Sequence, residues 1–201
     1  MSYIATKIGA KFQVSTYTND YQITTLSVSS LNDGGCAIIW QEEGSNYATY
    51  GQVYNREGAK SGTKFPISGY DPSISSLSDD GFIVTYCNIG IGICGQVYNS
   101  EGIISGAEFQ ISTNYSSTAT SVESFNDGGF VVTYNTDEGL YGQPYNAEVV
   151  KSDNEFQIDT VGYNPSVSSF SDGGFVVIYS NNEGLYGQVY KSAREKSGTK
   201  F

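Results

Sequence analysis

The chain has 201 residues, with 10 Lys and Arg against 21 Asp and Glu, a formal net charge of −11, and no His. That balance opposes nucleic acid, whose binding rests on basic residues neutralising phosphates. The missing His removes His-based triads, His-ligated zinc and histidine pH switching.

In chain order, the first predicted element is a strand over residues 4–14, because residues 7–14 (KIGAKFQV) match Lys60–Ile67 (KSGTKFPI). The first unit, about residues 15–68, then reads as a Ser-rich strand at 26–30, a turn at Asn32-Asp33-Gly34-Gly35, an apolar strand, a loop at 42–47, the strand YGQVY at 50–54 and a closing strand at 60–68. The second unit, 69–112, repeats this with Ser-rich 73–76, the turn Ser78-Asp79-Asp80-Gly81, a hairpin between Cys87 and Cys94, and a closing strand at 105–112. The third, 113–159, has 119–124, Asn126-Asp127-Gly128-Gly129, a loop at 137–139, YGQPY at 141–145 and a strand at 152–159. The fourth, 160–201, has PSVSSF at 165–170, Ser171-Asp172-Gly173-Gly174, the run FVVIY at 175–179, a turn at 181–184, LYGQVY at 185–190 and a strand from 195.

Three markers keep one period. The turn aspartates 33, 79, 127 and 172 lie 46, 48 and 45 apart, the Gly-Gln glutamines 52, 96, 143 and 188 lie 44, 47 and 45 apart, and Phe recurs at 12, 65, 109, 156 and 201. Asp-Gly and Gly-Gly accept the positive φ of hairpin turns. The run after each turn is β-branched and aromatic, as strands are, and apolar at successive positions, so both its faces should be covered. Four antiparallel strands per 45 residues is the measure of a β-propeller blade, with a solenoid or sandwich as the competing arrangement. The expected fold is therefore all-β, a β-propeller of four four-stranded blades in one repeat domain, either closed on itself or a slice of a longer array. Small Ser side chains suit the innermost strand near a crowded axis.

The repeat F-Q-[VI] … P-S-V-S-S-F-S-D-G-G-F-V-V-x-Y … G-L-Y-G-Q-V-Y resembles the tandem repeats of large bacterial surface or secreted, adhesin-like proteins, over about residues 4–201. The resemblance implies an extracellular or cell-surface location and adhesion, in chains often dependent on calcium elsewhere in their length. No signal peptide is visible at the N-terminus, and no apolar stretch is long enough to insert in a membrane as a helix.

The chemistry of the residues points to binding. Without His, and without a Ser-Lys motif, no nucleophile has a base, so no catalytic residues are expected. Glu42, Glu43, Asp137, Glu138 and Glu183 could pair as glycosidase carboxylates or be solvated loop charge. The periodic aspartates could bind calcium or cap their own turns; a structural cap is favoured and no cofactor is expected. Three Cys is no disulfide framework; Cys87 and Cys94 could face each other or stay free, and Cys36, in the place of a Phe, reads as a core position. The candidate ligand-binding residues are Tyr50, Gln52, Gln96, Tyr141, Gln143, Tyr186, Gln188 and Glu183, since aromatic faces with amide and acidic neighbours hold sugars. Their alternative role is to pack and bond the blade. The expected partners are extracellular glycans or proteins, bound multivalently, with oligomerisation open and no nucleic acid; a purely structural repeat segment is the competing function.

Overall fold

The computed structural model describes residues 11–15, 22–43, 48–114, 119–192 and 195–201. Their strands form four sheets of four, each in sequence order and antiparallel throughout. The first sheet holds β1 (Gln22–Ser30), β2 (Cys36–Glu43), β3 (Ala48–Tyr54) and β4 (Lys60–Ile67); the second, β5 (Tyr70–Ser76), β6 (Phe82–Asn88), β7 (Gly92–Tyr98) and β8 (Phe109–Ser112). The third holds β9 (Thr120–Ser124), β10 (Phe130–Thr136), β11 (Gly139–Tyr145) and β12 (Phe156–Asp159); the fourth, β13 (Tyr163–Ser169), β14 (Phe175–Asn181), β15 (Gly184–Tyr190) and β16 (Lys196–Ser197). Three apolar cores join the sheets pairwise, first to second, second to third and third to fourth, and none among the described residues joins the fourth to the first. The sheets are thus consecutive blades of a propeller arc.

Local chemistry sets each blade. At the inner hairpins, Asp33, Asp79, Asp127 and Asp172 each accept, through Oδ1, the backbone N–H two residues on, at 2.7, 3.2, 3.0 and 3.0 Å. The aspartates are turn caps. The residue after each has positive φ: Gly34, Gly128 and Gly173 at 83–87°, and Asp80, a non-glycine, at 68°. Across the β2–β3 type pairs, Phe82–Tyr98, Phe130–Tyr145 and Phe175–Tyr190 stack at 4.7–5.3 Å with planes within 11°.

Two of the sequence markers are one device. A Cβ on Gly51, Gly95, Gly142 or Gly187 would meet the ring of Phe65, Phe109, Phe156 or Phe201 at 2.3–2.4 Å. The glycine lets the Phe of the outer strand lie flat on the neighbouring backbone, and the same ring then reaches the next blade. Phe65 approaches Tyr98 at 5.0 Å, Phe109 approaches Tyr145 at 5.3 Å and Phe156 approaches Tyr190 at 5.1 Å.

The second strand of a blade is sandwiched only where two neighbours exist. Phe82–Cys87 and Phe130–Asn135 are buried without interruption, whereas in β14 burial alternates along the strand. Cys36 lies on the face of the first blade turned away from the second and is only half-buried, not a core position. Cys87 and Cys94 are both free and buried; Cys87 pairs with Ile93 while Cys94 pairs with Tyr86, so the two are staggered along the hairpin.

The outer strands are shorter than the sequence suggests. β8 and β12 start only at Phe109 and Phe156, with single bridges at Ile104 and Lys151 before them. Register shifts next to the Gly-Phe contact interrupt the ladders there. The predicted strand over 4–14 falls mostly outside the described residues, and residues 11–15 carry no strand.

Candidate functional site

The four glutamines face the blade's own backbone. Gln52, Gln96, Gln143 and Gln188 are buried. Each donates from Nε2 to the carbonyl of the following residue, at 2.9–3.1 Å. Three of them donate also to the chain returning beside them: Gln52 to Ser61 within β4, and Gln96 to Gly106 and Gln143 to Asp153 in the segments before β8 and β12. A ligand would have to compete with those carbonyls for the buried Nε2 donor.

The tyrosines before them stand on three different blades and are engaged within each. Tyr50 lies beside Trp40 with Lys64 Nζ 3.4 Å from its ring centroid. Tyr141 accepts from Gln157 Nε2 at 3.1 Å and stacks on Tyr134. Tyr186 donates to Glu183 Oε2 at 3.2 Å and carries Lys200 Nζ 4.4 Å from its centroid. The structure does not bring these residues to one pocket. The loop at 42–47 lies largely outside the described residues. The turn at 181–184 is closed by Asn181, whose Oδ1 accepts from Glu183 N and Gly184 N.

A different group converges. The innermost strands meet at the axis, and their Ser side chains accept from the backbone of the next blade. Ser27 and Ser29 accept from Ile74 and Ser76 at 3.3 and 2.9 Å, and Ser73 and Ser75 from Val122 and Ser124 at 3.2 and 3.1 Å. Ser121 accepts from Val167 N at 3.2 Å. In the third blade the second Ser of this pair is replaced by Glu123, whose Oε1 accepts from Ser169 N at 3.0 Å and Ser169 Oγ at 2.8 Å.

Around Glu123 opens an axial bowl of about 550 Å³, lined by Ser29, Ser75, Ser124, Asn32, Asn126 and their neighbours. Glu123 is the one carboxylate among its lining residues. Phe125 and Asn126 also wall a second cavity of about 300 Å³ between the third and fourth blades, completed by Asp127, Ser171, Asp172 and Ser192. Phe125 is half-buried there, its ring 5.7 Å from Phe175. Cavities of this size fit small ligands. The walls offer hydroxyls that donate and accept, amides that do both, carboxylates that accept, and one aromatic face. Sequence reasoning on the Ser-rich strands did not single out Glu123 or Phe125. The available signal was the departure from the repeat: Glu where the other units have Ser29, Ser75 and Ser168, and Phe where two units have Leu31 and Leu77.

The displaced titrations lie away from the bowl. Burial pushes the Cys94 thiol up to about 11 and, with the nearby Glu108 carboxylate, Tyr98 up to about 12. Burial would raise Asp159, but hydrogen bonds from Lys200, Tyr179 and Thr160 N outweigh it and hold the carboxyl at about 2. Among the described residues no group of three or more Cys, Asp or Glu gathers as a metal site.

By sequence the chain matches no protein-family model and no curated protein. By structure it is similar to the lectin of the fungus Aleuria aurantia, a six-bladed β-propeller with a fucose recognition mode, at 13% identity and TM-score 0.63, covering 87% of this chain and 61% of that one. It is also similar to an α-L-arabinofuranosidase from Fusarium graminearum, at 11% identity and TM-score 0.60, covering 90% and 66%. A xylan β-1,4-xylosidase from Bacillus halodurans aligns at 14% identity and TM-score 0.54, covering 89% and 43%. The chain thus spans less than two thirds of each of these proteins.

Proposed function

We propose that this four-bladed β-propeller arc is a non-enzymatic glycan-binding module of an extracellular, adhesin-like protein, and that its ligand sits in the axial bowl and the adjoining cavity between the third and fourth blades. The observation that carries this reading is the lining of the bowl: hydroxyls and amides around one carboxylate, Glu123, next to the face of Phe125. A sugar presents hydroxyls to such donors and acceptors and a C–H face to an aromatic ring. The net charge of −11 favours neutral over anionic glycans. That a lectin and sugar-cleaving enzymes share this fold supports a sugar as ligand, although fold alone does not assign function.

Hydrolysis fits the bowl poorly. Glycosidases of the common type flank the scissile bond with two carboxyl groups roughly 5–9.5 Å apart; the bowl itself offers Glu123 alone, and Asp127 and Asp172 of the adjoining cavity already cap their own turns through Oδ1. Loops that vary between the units, at 137–139 and 181–184, follow the ends of β10 and β14 remote from the bowl; they would serve a separate contact with a polymer, and repeated presentation would raise avidity.

The test is a glycan array at several densities, followed by calorimetry on Glu123→Gln and Phe125→Ala with thermal melts in parallel. Each substitution is expected to weaken binding by at least about tenfold while the melt shows a folded protein. Silence across the array leaves a purely structural repeat segment. Release of sugar from aryl glycosides or shortening of oligosaccharides by the native chain, lost in Glu123→Gln, would make the protein a hydrolase instead.

A further inference from the structure

The first and fourth blades each carry one half of an interface that the interior of the arc contains three times. In each interior interface, two innermost-strand side chains accept from two backbone amides of the next blade. On the fourth blade the corresponding residues, Ser166 and Ser168, are exposed, and their hydroxyls accept from no amide among the described residues. On the first blade, Val28 and Ser30 hold the places of Ile74 and Ser76, in the same register against β2 as those residues have against β6. No side chain among the described residues accepts from their amides. One end of the arc thus has acceptors without donors, and the other has donors without acceptors.

The apolar residues divide in the same way. Leu185 of the fourth blade is 74% exposed, whereas Leu140, its counterpart on the third, is 0% exposed beneath the fourth. Val28 of the first blade is 64% exposed, whereas Ile74, its counterpart on the second, is 6% exposed beneath the first. Phe201 lies on Gly187 as Phe156 lies on Gly142, but no blade among the described residues receives it and it is 67% exposed. The receiving seat exists on the first blade. Phe12 occupies it 4.9 Å from Tyr54, the spacing at which Phe65, Phe109 and Phe156 meet Tyr98, Tyr145 and Tyr190.

We propose that the fourth blade of one copy docks head to tail on the first blade of a second copy of this chain. Ser166 and Ser168 of the arriving copy accept from the amides of Val28 and Ser30, Leu185 packs over the face of the first blade turned away from the second, and Phe201 replaces Phe12 at Tyr54. A contact between two unlike faces is heterologous, so its repetition closes a ring or extends a filament, depending on the rotation per step. Each copy carries a charge of −11, so added salt strengthens the contact by screening repulsion between copies.

The experiment is analytical ultracentrifugation of the full chain across a range of protein and salt concentrations. It compares the native protein, Phe12→Ala, Val28→Arg, Leu185→Arg and an equal mixture of the last two. Val28 and Leu185 are exposed, so the charged variants keep their fold, which thermal melts check. The native chain and Phe12→Ala associate, the latter at lower concentration because its seat is vacant. Val28→Arg alone and Leu185→Arg alone are monomeric. Their mixture gives a one-to-one complex, since each variant keeps the face that the other has lost. Monomers throughout, in the native chain and Phe12→Ala alike, overturn the proposal. So does self-association that survives in either arginine variant alone, because that would join two like faces.

Discussion

The contact between Phe156 and Gly142 ties the repeat pattern to stability, and a single methyl group tests it. A Cβ on Gly142 would lie 2.4 Å from Phe156 Cζ and 2.9 Å from both Cε atoms. Carbon atoms rest at about 3.5–4.0 Å, so the ring must withdraw by more than about 1 Å. It has little room, because its far side meets Tyr190 at 5.1 Å and Phe175 at 6.3 Å on the next blade. Gly142→Ala is therefore an overpacked core, which costs about 1–3 kcal/mol. In a chain of this length each kcal/mol lowers Tm by roughly 2–4 °C. Urea denaturation with a parallel thermal scan measures the loss. Gly187→Ala places the same methyl against Phe201, which is 67% exposed with no described blade behind it and can swing outward, so its cost is smaller. In a Phe156→Ala background the Gly142→Ala penalty falls close to zero, since no ring remains to collide with, and the two substitutions are strongly non-additive. A neutral Gly142→Ala, equal costs at Gly142 and Gly187, or an undiminished penalty in the Phe156→Ala background would refute the reasoning.

Three further expectations rest on the same comparison between units. Asp80 has φ 68° where the other hairpins place Gly, so Asp80→Gly relieves an unfavourable left-handed conformation and raises stability by up to about 1 kcal/mol, read from the urea midpoint. Asn135 is buried with neither side-chain polar atom paired, while Gln41, its counterpart in the first blade, reaches Asp71 N at 3.0 Å. Asn135→Gln extends the amide toward Asn164 N and gains about 1 kcal/mol; a lower melting temperature would show that the gap cannot admit the extra methylene. Asp159 is held at about 2 in the folded chain, below its unfolded value near 4. Its stabilisation is therefore full above about pH 4 and is lost as pH falls toward 2. Asp159→Asn should flatten the stability profile in that acid window and leave its shape at neutral pH unchanged.

The sequence by itself determined the blades. Hairpin chemistry is local: an Asp that caps the amide two residues on, followed by a residue able to take positive φ, ends one strand and starts the next wherever it occurs. Four such units at one spacing leave the apolar strand between them no option but to be covered on both sides, which the middle blades achieve. Tertiary structure decided what the markers are for. Phe156 and Gly142 are 14 positions apart and touch only because β12 returns alongside β11. Gln143 reads equally well as a ligand contact or a backbone clasp until Asp153 O is seen 2.9 Å away. Glu123 and Phe125 look like minor departures from a Ser-rich strand, and come to line one cavity because blades 46–49 residues apart converge on one axis. The two uncovered faces were equally illegible. Every unit carries the same interface in its sequence, and only the arrangement of blades in space leaves Leu185 and Val28 in solvent while their counterparts are buried.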